Sequence, residues 1–127
     1  MPYVIALDIG GTQMRAARFQ TDSHTAEEVM RIPTKSDQDD ALTRLVELIR
    51  SIWPKREHVV AIGIAVPGPT DPYAGVIIEA PNIPGWENLP LQRILQDEFG
   101  VPVALGNDAN LAALGEWKFG AGRGHHH

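Results

Sequence analysis

Asp8-Ile9-Gly10-Gly11-Thr12 joins two strand-like segments, residues 3–7 before it and residues 13–20 after it. The stretch predicts a tight turn at the tip of a β-hairpin. Two glycines let bare backbone approach a ligand, because no Cβ intervenes and a positive φ costs little. Backbone N–H groups in such a turn can bind a phosphate, the Thr12 hydroxyl adds a donor, and the Asp8 carboxylate suits a phosphate-bound magnesium ion. The alternative is an ordinary hairpin with Asp-x-Gly-Gly turn chemistry.

Length and charge narrow the class of protein. The 127 residues are enough for one domain with a buried core and too few for two. Hydrophobic residues make up 43% and charged residues 21%, which is typical of a globular chain and not of a disordered one. A net charge of -5 without a basic cluster argues against nucleic acid and anionic membranes as partners. Any phosphate would then be bound by local backbone geometry and magnesium.

Cysteine is absent from the sequence, which excludes disulfides and thiolate metal sites and allows a reducing compartment. The N-terminus lacks the basic and apolar regions of a signal peptide, and no apolar run approaches the ~20 residues that span a bilayer. These features predict a cytoplasmic protein. The terminal run His125-His126-His127 is typical of a purification-tag remnant, with truncated native sequence as the alternative, and is given no function.

The first half of the chain predicts an α/β unit. Residues 3–9 and 13–20 form the hairpin, and residues 28–32 form a third strand that ends at Pro33. Residues 59–66 are apolar throughout, which predicts a strand covered on both faces and parallel to a neighbour. A helix between these strands is predicted to begin after a Ser36 cap, with Asp37, Asp39 and Asp40 in its first turn, and to end at Pro54. Its apolar stripe comprises Leu42, Leu45, Val46, Ile49, Ile52 and Trp53.

The second half begins with a proline-rich segment, residues 67–90, which predicts a long loop interrupted by a short apolar run at residues 75–78. Asn88 is predicted to cap a second helix that has Pro90 in its first turn and stops at Gly100. A short strand at residues 101–105 follows, and Asp108 is placed to cap a last helix over residues 109–119. Residues 120–127 are predicted to be a flexible tail.

Polar turns follow three of the predicted strands. They are the turn from Asp8 to Thr12, residues 67–69 with Asn82 beyond them, and Asn107-Asp108. If the strands are parallel neighbours, these turns meet at one edge of the sheet. Asp108 then has two interpretations: a helix cap, or a general base beside Asn82 and Asn107, which would contact sugar hydroxyls.

Five motifs in order along the chain resemble the ROK family (repressor, open reading frame, kinase), and most of all its bacterial glucokinase-like sugar kinases. Each motif alone is modest, and the five together are specific. They are ALDIGGT at 6–12, GIAVPGP at 63–69, APNIPGW at 80–86, GNDANLAALGE at 106–116 and GAGRG at 120–124.

The resemblance implies an α/β fold, namely an actin-like ATPase (ribonuclease-H-like) lobe with a mixed sheet, an N-terminal antiparallel hairpin and flanking helices. It implies transfer of the γ-phosphoryl group of ATP to a hexose, with glucose favoured and the 6-hydroxyl as the usual acceptor. The roles that it implies are Asp108 as catalytic base, Asn82, Asn107 and Gly68 around the sugar, Gly10, Gly11 and Thr12 facing the ATP phosphates, and Asp8 near magnesium through water.

The resemblance also implies parts that these residues do not supply: a second glycine-rich phosphate loop, an adenosine pocket, further sugar ligands and a cysteine-rich zinc site. Residues 1–119 are therefore expected to be the N-terminal lobe of a longer kinase and to be inactive alone. Such a lobe exposes surface that its partner lobe covers, so homodimer formation is an expectation. The alternatives are a sugar-responsive ROK regulator and a non-catalytic sugar-binding module. The regulator is disfavoured because no basic helix-turn-helix precedes Tyr3.

Overall fold

A mixed five-stranded sheet forms the centre of the computed structural model, which describes residues 2–23, 25–36, 39–55, 58–66, 68–71, 73–80 and 82–106. The strands within these residues are β1 (Tyr3–Ile9), β2 (Gln13–Gln20), β3 (Glu28–Pro33), β4 (Val59–Ala65), β5 (Thr70–Asp71), β6 (Val76–Glu79), β7 (Glu87–Leu89) and β8 (Val103–Gly106). The helices in the described part of the chain are α1 (Ala41–Ile52) and α2 (Leu91–Phe99), and neither is long and apolar enough to cross a bilayer.

The order of the large sheet is β3-β2-β1-β4-β8. β1 and β2 form the antiparallel hairpin, β4 runs parallel to β1, and β8 runs parallel to β4. The predicted hairpin and the predicted parallel, buried strand are thus both confirmed. β4 follows β3 through α1, and this crossover helix allows β4 to run parallel to β1. The residues of β4 are almost all buried.

One face of the large sheet carries the main core. Ile5, Leu7 and Ile9 alternate along β1 and are buried with the apolar stripe of α1. α1 packs against β2 and β3, and α2 packs against β8. The loop tryptophan Trp86 joins this core with only 2% of its surface exposed. Trp86 is therefore a packing residue, and its position offers no stacking surface for a sugar.

The start of α1 differs from the prediction. The helix begins at Ala41 and its N-cap is Asp40, whose carboxylate accepts a hydrogen bond from the Thr43 backbone N–H at 2.7 Å. That hydrogen bond lowers the pKa of the Asp40 carboxyl below its usual value. The predicted Ser36 cap is wrong because several capping-type residues follow one another here. The residue next to the apolar periodicity, Asp40, makes the cap.

The proline-rich segment is not a long loop. β5, β6 and β7 form a small antiparallel sheet, which buries Ile77 against the main core. Asn88 lies in β7 with a φ of 52° and does not cap α2, whose N-cap is Pro90 without a side-chain hydrogen bond. The predicted stop at Gly100 is confirmed, since Gly100 has a φ of 70° and ends α2 in the left-handed conformation.

Leu48 of α1 was not in the predicted stripe, yet only 2% of its surface is exposed. We expect Leu48→Ala to lower the free energy of unfolding by about 2–5 kcal/mol, because truncation leaves a cavity in the main core. Urea titration measures this change. Leu42→Ala is the matched control, since Leu42 is only half-buried on the same helix. Equal losses in the two variants would contradict the packing described for α1.

Candidate functional site

The carboxyl ends of three parallel strands lie at one edge of the large sheet. β1 ends there at Ile9, β4 at Ala65 and β8 at Gly106. The glycine turn follows β1 directly, and Gly68, exposed and with a φ of 94°, follows β4. Asn107 and Asp108 come next after β8 in the sequence and lie outside the described residues. In α/β proteins this edge is the usual place for ligands.

The turn between β1 and β2 is tied by backbone hydrogen bonds. The Gly10 N–H donates to the Gln13 carbonyl at 2.9 Å. Positive φ occurs at other described glycines, and neither Gly10 nor Gly11 has a left-handed backbone conformation. Backbone conformation is therefore not the reason for glycine at these two positions. The tolerance of glycine for a positive φ is therefore not used in this turn. The need for glycine here comes from close approach instead.

Gly11 lies directly against Asn82. A Cβ placed on Gly11 would be 2.6 Å from the Asn82 Cβ, far inside van der Waals contact. Asn82 itself sits in an exposed turn held by two backbone hydrogen bonds, from Ile83 N–H to the Ala80 carbonyl and from Trp86 N–H to the Ile83 carbonyl. The residues predicted to face phosphates and the asparagine predicted to contact the sugar are thus neighbours in space.

Thr34 is a supporting residue that the sequence did not reveal. Its side chain is fully buried, and its hydroxyl donates a hydrogen bond to the Gly10 carbonyl at 2.6 Å. Its own backbone N–H donates to the Thr12 carbonyl at 2.9 Å. Thr34 thereby fixes both ends of the glycine turn. Only the pairing of β2 with β3 brings it there, since Gln13 is opposite Pro33.

We expect Thr34→Val to lower the free energy of unfolding by about 1 kcal/mol, because the shape is kept but the Gly10 carbonyl loses its donor. The turn should also become more mobile, which amide hydrogen exchange at Gly10 and Thr12 measures. Thr34→Ser keeps the hydroxyl and is the matched control. Unchanged exchange in the valine variant would show that Thr34 does not hold the turn.

Asp8 points away from the main core and forms an ion pair with Arg15 on β2. Arg15 Nη2 lies 2.6 Å from Asp8 Oδ2. The side chain of Arg15 is 43% exposed and that of Asp8 is 46% exposed. The two residues are opposite each other in the hairpin register. An open cavity of about 380 Å³ lies beside them and is also lined by Gly10.

The residues around Asp8 fit a hydrated magnesium ion brought by phosphates. Magnesium keeps several of its waters and is usually bound through one or two carboxylates plus phosphate oxygens. Asp8 supplies one accessible carboxylate next to the glycine turn. Within the described residues no group of three or more acidic, histidine or cysteine side chains forms a cage for a metal. The site therefore suits a metal that arrives with a ligand.

The architecture is that of an actin-like ATPase lobe, and the comparisons with known proteins agree with it. A ROK family profile matches residues 4–127. A glucokinase from Thermotoga maritima is 36% identical over 125 residues, which are 98% of this chain and 39% of that protein. A xylose repressor from Caldicellulosiruptor bescii is 37% identical over 98 residues, 74% of this chain and 24% of that protein.

A solved structure of a ROK family protein also resembles this chain. The crystal structure of a ROK family glucokinase from Streptomyces griseus, in complex with glucose and AMPPNP, matches with a TM-score of 0.72 and 30% identity, over 96% of this chain and 38% of that one. The chain belongs to the ROK family. It spans well under half the length of these relatives, which include both kinases and repressors.

Proposed function

We propose that this chain is the N-terminal lobe of an ATP-dependent hexose kinase, with glucose as the favoured substrate and the 6-hydroxyl as the acceptor. The observation that carries the proposal is the contact of Gly11 with Asn82. It joins a backbone turn suited to phosphates with an exposed amide suited to sugar hydroxyls. A kinase needs both in contact, because phosphoryl transfer depends mainly on positioning and on stabilising charge.

The residues divide into two groups in this proposal. Backbone N–H groups of Gly10 and Gly11 and the Thr12 hydroxyl hold the ATP phosphates, and Asp8 faces magnesium through water. Magnesium, when bound, would neutralise charge on the phosphates. Asn82, Asn107 and the Gly68 loop orient the sugar. Asp108 accepts the proton of the sugar hydroxyl. The sugar oxygen then forms the bond to the γ-phosphorus, and the bond from the γ-phosphorus to ADP breaks as ADP leaves.

A sugar-responsive regulator is the second candidate, favoured by the repressor among the relatives. The two functions share sugar binding but differ in the use of ATP. A regulator needs no phosphoryl transfer, so it has no requirement for Asp108 as a base. Hexose-dependent turnover therefore separates the two candidates.

The test is a coupled assay of ADP release by the full-length protein that contains this chain. We expect release that requires both ATP and a hexose, with glucose preferred over other hexoses. The 127-residue chain is the matched comparison and is expected to be inactive, because it spans only 39% of its glucokinase relative. Hexose binding without any hexose-dependent ADP release by the full-length protein would overturn the kinase proposal and support the regulator.

A further inference from the structure

Three charged residues form a row across the hairpin and the next strand. Asp8 on β1 is opposite Arg15 on β2, and Arg15 is opposite Arg31 on β3. Directly opposed residues share one face of a sheet, so the three side chains are neighbours on the face away from α1. Arg15 is paired with Asp8. Within the described residues, the Arg31 side chain is exposed and has no hydrogen bond or ion pair.

The opposition of Arg15 and Arg31 is unfavourable for the pairing of β2 with β3 when no anion is bound. Two like charges placed opposite each other across antiparallel strands destabilise the pairing. One carboxylate faces two guanidinium groups here, so the row carries a net positive charge in a chain whose net charge is -5. Positions that break a local rule of this kind are expected where function needs them.

The row borders the space in front of the glycine turn. The cavity of about 380 Å³ is lined by Asp8, Ile9, Gly10, Gln13, Arg15 and Arg31. A second opening of about 220 Å³ is lined by Arg31 together with Thr12 and Gln13. The two arginines therefore border the same space as the backbone that is proposed to hold phosphates.

We propose that Arg15 and Arg31 form an anion subsite that binds the triphosphate chain of the nucleotide. The inference rests on the proposed function and adds two cationic ligands to it. A guanidinium group binds phosphate oxygens through paired N–H donors and keeps its charge at any physiological pH. Arg31 supplies the cation without a carboxylate partner. Arg15 is held beside the turn by Asp8 and reaches phosphate oxygens from there.

The test uses Arg15→Gln and Arg31→Gln in the full-length protein. We expect each change to weaken Mg-ATP binding, measured by calorimetry, by about 10- to 100-fold, the usual range for one charge-assisted hydrogen bond. The Michaelis constant for glucose should not change. Arg50→Gln and Arg93→Gln are the matched controls, because Arg50 is an exposed, ion-paired arginine and Arg93 an exposed arginine, both away from the turn. Both controls should bind ATP within twofold of the unmodified protein.

Inorganic triphosphate and AMP separate the phosphate chain from the rest of the nucleotide. Triphosphate binding should weaken in both variants, and AMP binding should not. Thermal melting checks the fold, and Arg15→Lys is the second variant in case Arg15→Gln does not fold. Unchanged ATP and triphosphate binding, or an equal loss for AMP, would overturn the inference.

The two proposals can fail separately. If the unmodified protein releases no ADP with hexose but binds triphosphate in an arginine-dependent way, the subsite stands and the kinase proposal falls. If it phosphorylates hexose and the arginine variants match their controls, the kinase proposal stands and the subsite falls.

Discussion

Gly11→Ala is expected to lower sugar phosphorylation by the full-length protein about 100-fold or more. The new Cβ would lie 2.6 Å from the Asn82 Cβ, and a Cβ cannot rotate away. Either the glycine turn or Asn82 must shift, and a displacement of about 1 Å at reacting groups costs about 100-fold in rate. Steady-state kinetics with varied ATP and varied glucose measure the loss, and both Michaelis constants are expected to rise.

Gly10→Ala provides the graded comparison. A Cβ on Gly10 would lie 3.1 Å from the Gln13 carbonyl oxygen, a tight contact that a small movement relieves. Its loss of activity should be clearly smaller than that of Gly11→Ala. Thermal melting shows whether either variant is unfolded. A folded Gly11→Ala variant with turnover near that of the unmodified protein would contradict the contact between the turn and Asn82 as the basis of the site.

Asp108→Ala in the full-length protein is expected to abolish phosphorylation while sugar binding stays measurable. Asp108 lies outside the described residues, and its role as base is a proposal from its motif. Loss of a general base typically lowers the rate by about 10²–10⁴-fold. Calorimetry with glucose measures the binding that should remain. Asp97→Ala on the exposed side of α2 is the matched control and should be fully active. Turnover of Asp108→Ala near that of the control would refute the base assignment.

The large sheet is predictable from the sequence because its signals are local. The hairpin has two glycines between strand-like segments, and β4 is apolar at every position, which is typical of a strand covered on both faces. The register of the hairpin also follows from its bounds and places Arg15 opposite Asp8. The opposition of Asp8 and Arg15 could therefore have been predicted from the sequence, whereas the position of Arg31 depends on the separate pairing of β2 with β3.

Other parts depend on contacts between distant segments. The small sheet of β5, β6 and β7 forms in a segment whose prolines favour a loop, because burial of Ile77 in the core offsets the weak local preference. Thr34 meets Gly10 only through strand pairing, and Asn82 meets Gly11 only when the small sheet is in place. Local sequence patterns carry no sign of such contacts.

The candidate site was predicted residue by residue, and the structure describes part of it. Asp8, Gly10, Gly11 and Thr12 form one turn, and Asn82 lies against it. Gly68 follows the neighbouring strand at the same edge. The roles of all these residues, and of Asn107 and Asp108, stay predictions.

A crystal structure of the full-length protein with glucose and a non-hydrolysable ATP analogue tests the central claim most directly. The account predicts that phosphate oxygens lie within hydrogen-bond distance of the Gly10–Thr12 backbone and that the Asn82 amide contacts a sugar hydroxyl, with both ligands in one cleft. Phosphates bound away from the turn, or a sugar out of reach of Asn82, would contradict it.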